Sequence, residues 1–343
     1  MIPKEICQAW TIDESTVRQV GNGLIHISYH CTGGSTGVLL QRLNHHVFPR
    51  PQDITDNILL VLDHLRRIEQ SDLVIPELIR STADHWTELD PEGNTWRAYA
   101  FIPGTVTYAG PVGEEVGFHA ARAFGVFGKW LRRVPETQVI EVLPDFHNTP
   151  VRFAAFQDGV QQDPLARACT AKKEIEYLTD QARTASKLTE LIRLVPSARS
   201  VCHNDAKVPN LLMDVATNRP KAVVDLDTLM PGTVLYDLGD LVRTACSTIA
   251  ENSSFLKDLS FQSNVYRAIK QGFQEGLGDS LSPQEAELLD WAGPVITYEQ
   301  ALRFATDYLL GDRYYPTKSP DENLIRTQNQ IELHQQMVQT LGL

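Results

Sequence analysis

The chain has 343 residues, 42% of them hydrophobic, and a net charge of −12. That length suits about two domains, no apolar run approaches the roughly eighteen residues that suggest a membrane span, and the acidic balance argues against general nucleic-acid binding. Five scattered cysteines (Cys7, Cys31, Cys169, Cys202 and Cys246) form no C-x-x-C pair, which argues against a disulfide framework or a zinc site and fits a reducing cytoplasm. The start, Met1-Ile2-Pro3-Lys4-Glu5, lacks the layout of a signal peptide.

Residues 17–20 read as a short extended run, Gly21-Asn22-Gly23 as a turn and 24–31 as an alternating strand. Residues 38–43 predict the next strand. A helix is expected over 53–70, with Asp53 as its cap and Ile54, Ile58, Leu62 and Leu65 at helical spacing. Extended runs at 77–89 and 95–101 are joined by the hairpin signal Asp90-Pro91-Glu92-Gly93-Asn94. After Ile102-Pro103-Gly104 the pattern turns helical. Residues 114–131 put Val116, Ala120, Phe124, Phe127 and Trp130 on one face, and helical patterns recur at 172–195, 235–250, 261–277, 283–311 and in the tail. A β-rich stretch, 1–102, thus precedes a mainly helical one, 103–343. This predicts an α+β architecture in two lobes, not an alternating βα sheet.

The run His203-Asn204-Asp205-Ala206-Lys207-Val208-Pro209-Asn210 carries the chemistry, with Asp225 following the apolar stretch Ala222-Val223-Val224. Phosphoryl transfer asks little of a protein: a carboxylate to orient and deprotonate the attacking hydroxyl, and oxygen ligands for Mg²⁺. Asp205 suits the first role. Asn210 and Asp225 suit the second, because Mg²⁺ takes hard oxygen ligands and keeps several waters. In the β-rich stretch, Gly21 and Gly23 can let backbone approach phosphates, and Arg42 can reach them from its strand.

These residues, with Val224-Asp225-Leu226-Asp227, resemble the protein-kinase-like small-molecule phosphotransferases, the superfamily of aminoglycoside phosphotransferases and choline kinases. Four stretches bring the resemblance to the N-acetylhexosamine 1-kinase group: Leu40-Gln41-Arg42-Leu43-Asn44 with Val47-Phe48; His203-Asn204-Asp205 with Lys207; Asp225 to Gly232 with Tyr236-Asp237-Leu238-Gly239-Asp240; and Arg303-Phe304 with Thr306-Asp307-Tyr308-Leu309 and Gly311-Asp312. The resemblance implies a small antiparallel β-sheet N-lobe with one helix (1–102, binding nucleotide) and a larger helical C-lobe (103–343, with the catalytic loop and acceptor site). It implies ATP, Mg²⁺ and transfer to an alcohol, which for the sugar kinases is the anomeric hydroxyl of an N-acetylated hexose. Under it Asp205 is the catalytic Asp and Asn210 and Asp225 are the metal ligands. Arg42, Gly21 and Gly23 meet the nucleotide. Arg303 and Lys207 fall to the acceptor side, and Asp227 to the acceptor or the metal. A cytoplasmic monomer or weak dimer is expected, with a small-molecule acceptor and no nucleic-acid or membrane partner.

The chain departs from that group at Gly21-Asn22-Gly23-Leu24-Ile25-His26, where Leu24 replaces a sugar-binding His and His26 an Asn. Ala206 and Pro209 replace a common Thr and Asn. An apolar Leu cannot donate to a hydroxyl, and one such loss costs about 1–3 kcal/mol of discrimination. Two alternatives therefore stand beside the sugar kinase: a kinase of a cationic alcohol such as an aminoglycoside or choline, and a catalytically silent kinase-like binding protein. A pocket lined by Asp and Glu favours the cation, whereas Arg303 and neutral polar groups favour the sugar. Asp56, Asp63 and Glu69 are candidate partners for Arg42 on the 53–70 helix. Asp237 and Asp240, with Arg243, read as helix-terminal acids and an ion pair. Trp86, Trp96, Tyr314 and Tyr315 read as core packing before sugar stacking, and His45-His46 as a solvated loop.

Overall fold

The structure, a computed structural model, describes residues 2–21, 25–32, 37–68 and 73–343. Gly23, Leu24 and Glu69 lie outside the described residues. Contacts divide the chain into two compact units. Met1–Val106, Thr137–Pro144 and Leu211–Met230 form the first; Thr107–Glu136, Asp145–Asn210 and Pro231–Leu343 form the second.

The first unit is built on antiparallel strands β1 (Arg18–Val20), β2 (Ile27–Cys31), β3 (Val38–Arg42), β4 (Leu78–Ile79), β5 (Thr87–Leu89) and β6 (Thr95–Ala100). Their order is β1-β2-β3-β6-β4, with β5 also on β6. One face packs on α1 (Lys4–Ala9), where Ile2, Ile6, Cys7 and Trp10 meet Cys31, Leu40, Trp96 and Ala98. Six residues with two buried positions give too weak a periodicity for α1 to be read from sequence. The Asp90–Asn94 turn forms as expected. Asp90 Oδ1 accepts from the Asn94 backbone at 2.8 Å, and Oδ2 accepts from Trp96 Nε1 at 2.8 Å.

Helix α2 (Pro51–Leu65) begins two residues before the expected cap. Pro51 takes the first helical position, where its fixed φ and missing N–H cost nothing, and Asp53 instead pairs with Arg50 at 2.8 Å. Ile54, Ile58, Val61, Leu62 and Leu65 are buried. Asn57 ties α2 down: its Nδ2 donates to the carbonyls of Ile140 and Leu229 at 2.7 and 3.0 Å. Strand β7 (Thr105–Val106) joins the antiparallel hairpin Leu211–Asp214 and Pro220–Val223, which ends two residues before Asp225.

The second unit contains α3 (Glu114–Leu131), α4 (Thr149–Gln162), α5 (Lys172–Asp180), α6 (Lys187–Leu194), α7 (Val234–Ala245), α8 (Ser263–Leu277), α9 (Pro283–Glu287), α10 (Leu289–Leu310) and α11 (Glu322–Leu341). Its core includes Phe156, Leu178, Tyr298, Leu302 and Leu309. The expected 283–311 helix is split: Ser282 and Glu285 close a capping box for α9, and α10 follows. Helix α4 escapes the sequence pattern because only Thr149, Phe156 and Gly159 are fully buried along it. Helices α3 and α8 touch backbone to backbone. A Cβ on Gly272 would stand 2.2 Å from the Phe118 carbonyl oxygen, and one on Gly276 2.3 Å from that of Arg122. Among the described residues no helix is long and apolar enough to cross a membrane.

Candidate active site

The motif loop leaves the buried strand Ser200–Cys202 and is held from several sides within the second unit. His203 is buried, its ring edge-on to Phe124 and Phe127. The Asp237 carboxylate accepts from the backbone N–H of His203 at 3.1 Å and of Asn204 at 2.7 Å. Asp237 is not the cap of α7, since Thr233 caps it through Leu235 N; it is a clamp on the loop. Burial raises its pKa, more than His203 and the two amides lower it. Asp240 forms the expected ion pair with Arg243, at 2.8 Å.

Asn204 has a left-handed backbone, φ +62, which Asn tolerates better than most residues. Its carbonyl oxygen faces His147 Nε2 at 2.9 Å, while His147 Nδ1 lies 2.9 Å from Glu299 Oε1. Both ring nitrogens therefore meet acceptors, so the ring donates twice and is an imidazolium. Burial alone would lower the His147 pKa; Glu299 outweighs it and holds the pKa raised. Thr149 Oγ1 donates to the other Glu299 oxygen at 2.6 Å.

Three expected site residues meet on this loop. Lys207 Nζ lies 3.0 and 2.8 Å from the two Asp205 carboxylate oxygens. Asn210 Nδ2 donates to the Asp205 carbonyl at 2.8 Å and to Oδ2 at 3.0 Å. With its amino group committed to Asp205, Asn210 directs Oδ1 the other way, as an oxygen ligand needs. Burial would raise the Asp205 pKa, but Lys207, His203 and Asn210 together lower it, so the carboxylate is ionised at neutral pH.

In the first unit, Asp225 is also left-handed, φ +62. Such backbone in a non-glycine residue persists where its surroundings over-determine it. Asp227 is buried, with Oδ1 2.5 Å from Arg97 Nη2 and Oδ2 2.5 Å from His26 Nε2. Arg97 also donates through Nε and Nη2 to Gln41 Oε1, at 3.0 and 2.8 Å. His26 Nδ1 accepts from Asn44 N at 3.0 Å, which leaves the ring proton on Nε2; the Nε2–Asp227 Oδ2 contact is close but lacks hydrogen-bond geometry. Burial would raise the Asp227 pKa; Arg97 and His26 reverse that and hold it far below the usual carboxylate range. Through the Arg97 bond to its Oδ1, Asp227 locks the turn after Asp225 to the sheet.

Arg42 does not join this group. Register places Gln41 opposite Arg97, and Arg42 opposite Trp96, on the α1 face. There Arg42 lines a cavity with Ile2, Lys4, Glu5, Glu14 and Asp90. Arg42, expected to meet the nucleotide phosphates, thus points to the face of the sheet opposite Gln41 and Arg97 by strand alternation. Neither described candidate on α2 pairs with Arg42. Asp56 accepts from Gln52 and Asp63 pairs with Arg67. Gly21 has φ +71, as a turn glycine allows.

Arg303, on α10, sits among rings in the second unit. Its guanidinium carbon is 5.2 Å from the Phe146 ring centre and 5.8 Å from those of Tyr314 and Tyr315. The loop carrying both tyrosines is set by Asp307, which accepts from the backbones of Arg313, Tyr314 and Tyr315 at 2.8, 2.8 and 2.9 Å. Trp96 is core, 1% exposed, and Trp86 lies under Arg80.

Residues 16–270 match the phosphotransferase enzyme family. The chain belongs to that family. The phosphotransferase is similar to a microcompartment-associated aminopropanol kinase, with TM-score 0.70 and 16% identity, covering 99% of this chain and 97% of the other. An aminoglycoside phosphotransferase from Alicyclobacillus acidocaldarius gives TM-score 0.65 and 13% identity over 100% and 96%. An amicoumacin kinase in complex with AMP-PNP and Ca²⁺ gives TM-score 0.60 and 13% identity over 97% and 92%. These likenesses establish the protein-kinase-like fold, an antiparallel-sheet N-terminal region followed by a helical one.

Among the described residues of the phosphotransferase, no three His, Cys, Asp or Glu side chains cluster to hold a metal by themselves. The side chains expected to meet a metal, Asn210 and Asp225, carry oxygen donors of the kind a hard cation takes beside phosphate and water. The roles of four residues in the architecture escaped sequence reading. Asp237 stands in the Tyr236–Asp240 stretch and reads as an acid in a helix's first turn, but its loop partners lie more than thirty residues away. A charged Arg97 within the otherwise apolar Trp96-Arg97-Ala98 strand was a usable signal. His147 and Glu299 carried none.

Proposed function

We propose that this phosphotransferase is an ATP-dependent kinase that moves the γ-phosphoryl group to a hydroxyl of a small molecule, a sugar or amino sugar, in the cytoplasm. The observation that carries the reading is the Asp205 carboxylate, ionised and fixed by Lys207 and Asn210 on a loop whose backbone Asp237 clamps. Asp205 orients the acceptor hydroxyl and takes its proton as the hydroxyl oxygen bonds to the γ-phosphorus and the bond to the leaving ADP breaks. Asn210 Oδ1 and the Asp225 carboxylate would hold Mg²⁺, whose chemistry when bound is to neutralise charge on the phosphates. Arg97 fixes Asp227 and so the turn bearing Asp225; its Nη1, buried without a partner among the described residues, is a donor suited to a phosphate oxygen. Gly21 is the described residue proposed to approach the nucleotide by its backbone.

A sugar acceptor is supported over a cationic alcohol by Arg303, whose neighbours are Gln300 and aromatic rings rather than a carboxylate lining. The N-acetylhexosamine 1-kinase likeness names one such acceptor. The deciding experiment measures ADP release over N-acetylhexosamines, neutral sugars, aminoglycosides and choline, with and without Mg²⁺. Asp205→Asn should lower turnover about 10²–10⁴-fold while nucleotide-dependent thermal stabilisation remains. Full turnover in that variant would remove Asp205 from the mechanism.

A further inference from the structure

Among the described residues, two arginines of the second unit, Arg152 and Arg303, form no ion pair. Arg303 makes one weak contact, Nη1 to Gln300 Oε1 at 3.5 Å, and otherwise faces the Phe146, Tyr314 and Tyr315 rings. Arg152, on α4, donates to the Phe146 carbonyl at 3.4 and 3.2 Å. Phe146 thus touches both guanidinium groups, one through its ring and one through its carbonyl. Among the described residues neither arginine forms an ion pair, and the acids nearby are engaged elsewhere. Glu299 holds His147 and Thr149, while Asp240 and Glu251 hold Arg243. Burial and then the like charge of Arg303 lower the Arg152 pKa, with Glu299 opposing them, whereas Tyr315, Tyr314 and Glu299 outweigh burial and raise the Arg303 pKa. Glu299, the carboxylate that acts on both guanidinium groups, is already bonded to His147 and Thr149, so the forks of Arg152 and Arg303 keep donors for an added anion.

The place of this pair matters. Phe146 precedes His147, and His147 holds the Asn204 carbonyl beside Asp205. Tyr314, 56% exposed, offers a ring face next to Arg303, fixed in place through Asp307. A guanidinium fork matches the paired oxygens of an oxyanion, and an aromatic face suits a sugar ring.

We propose that the acceptor is a sugar bearing an oxyanion, carboxylate or phosphate, which Arg152 and Arg303 grip while the ring rests against Tyr314 and Tyr315. This rests on the kinase reading of the Asp205 loop and narrows its substrate class. A neutral sugar brings no charge to the two guanidinium groups, and a cationic alcohol adds a third positive charge.

The test uses matched probes that differ in charge: glucose against glucuronate and glucose 6-phosphate, galactose against galacturonate, and N-acetylglucosamine as the neutral amino sugar. Binding to the full chain with AMP-PNP and Mg²⁺ is measured by calorimetry, and turnover by ADP release with ATP. At least one charged probe should bind about tenfold or more tightly than its neutral partner. Arg303→Gln and Arg152→Gln should each erase that margin, raising KM with little change in kcat, and Arg303→Lys should keep part of it. A uronate preference identifies the carboxylate, a preference for the 6-phosphate the phosphate. No margin in any matched set, including no binding of either member, overturns the proposal, and needs no variant to fold. Tight binding of a charged probe without ADP release leaves the anion site standing and sinks the kinase reading. ADP release at equal KM for charged and neutral probes does the reverse.

Discussion

His147 links the Asn204 carbonyl, 2.9 Å from its Nε2, to the Glu299 carboxylate, 2.9 Å from its Nδ1. The residue before Asp205 is thereby tied to α10 through a charged ring. The His147 pKa is raised in the folded state above the ordinary 6.5. The stability this contributes is complete below that ordinary value and is lost as pH rises through the folded-state value. Glu299, whose folded pKa is lowered, contributes stability above its ordinary 4.5 that is lost as pH falls. Wild type should therefore exceed His147→Gln by about 1–3 kcal/mol near pH 6, and the gap should shrink at alkaline pH. Urea unfolding of both proteins across that range checks it; a gap that grows with pH contradicts the imidazolium.

Asp237 presents two carboxylate oxygens to two backbone N–H groups of the loop. An asparagine has one oxygen, and its amino group would point a donor at a donor. Asp237→Asn should cost about 1–3 kcal/mol for the unmet amide. It should also lower kcat more than it raises the KM for nucleotide, because the residues displaced precede Asp205 directly. The ratio of kcat to KM effects, with melting temperature measured alongside, separates loss of loop geometry from general unfolding.

The buried Arg97–Asp227 pair makes a different prediction. Removing one partner strands a charge that burial makes expensive, so Asp227→Asn and Arg97→Gln should each destabilise by about 3–5 kcal/mol. Replacing both should cost clearly less than the sum, because neither charge is left alone. A double-mutant cycle by chemical denaturation reads the coupling directly. Additive losses would show that the 2.5 Å contact contributes nothing of its own.

Much of this was legible in the residues. The hairpin at Asp90, the full span of α3 and the grouping of Asp205, Lys207 and Asn210 follow from local chemistry: turn acids, helical spacing and a short loop. What escaped is non-local. His26 meets Asp227 across about two hundred residues, and Glu299 meets His147 across about a hundred and fifty. No spacing rule reports such pairs. Short α1 and weakly buried α4 were lost for another reason, since each buries too few side chains to leave a period. The face assignment on β3 lay between these cases. Leu40 reads as core, so its alternate neighbour Gln41 must point the other way and Arg42 must share the core face.

That alternation yields the last prediction. Arg42 and Arg97 belong to adjacent strands, but register separates their side chains to opposite faces of the sheet. Arg42 lines the cavity with Glu5, Glu14 and Asp90, while Arg97 reaches Asp227. Arg42→Gln should therefore change the KM for ATP by no more than about twofold, as expected of a substitution that leaves the nucleotide's surroundings intact. Arg97→Lys keeps the charge but loses the fork that bonds Gln41 and Asp227 together. It should raise that KM about tenfold or more, by the loss of one charge-assisted contact. Steady-state ADP release at saturating acceptor compares the two. A larger effect from Arg42 would return the phosphate contact to the strand position first expected and displace Arg97 from it.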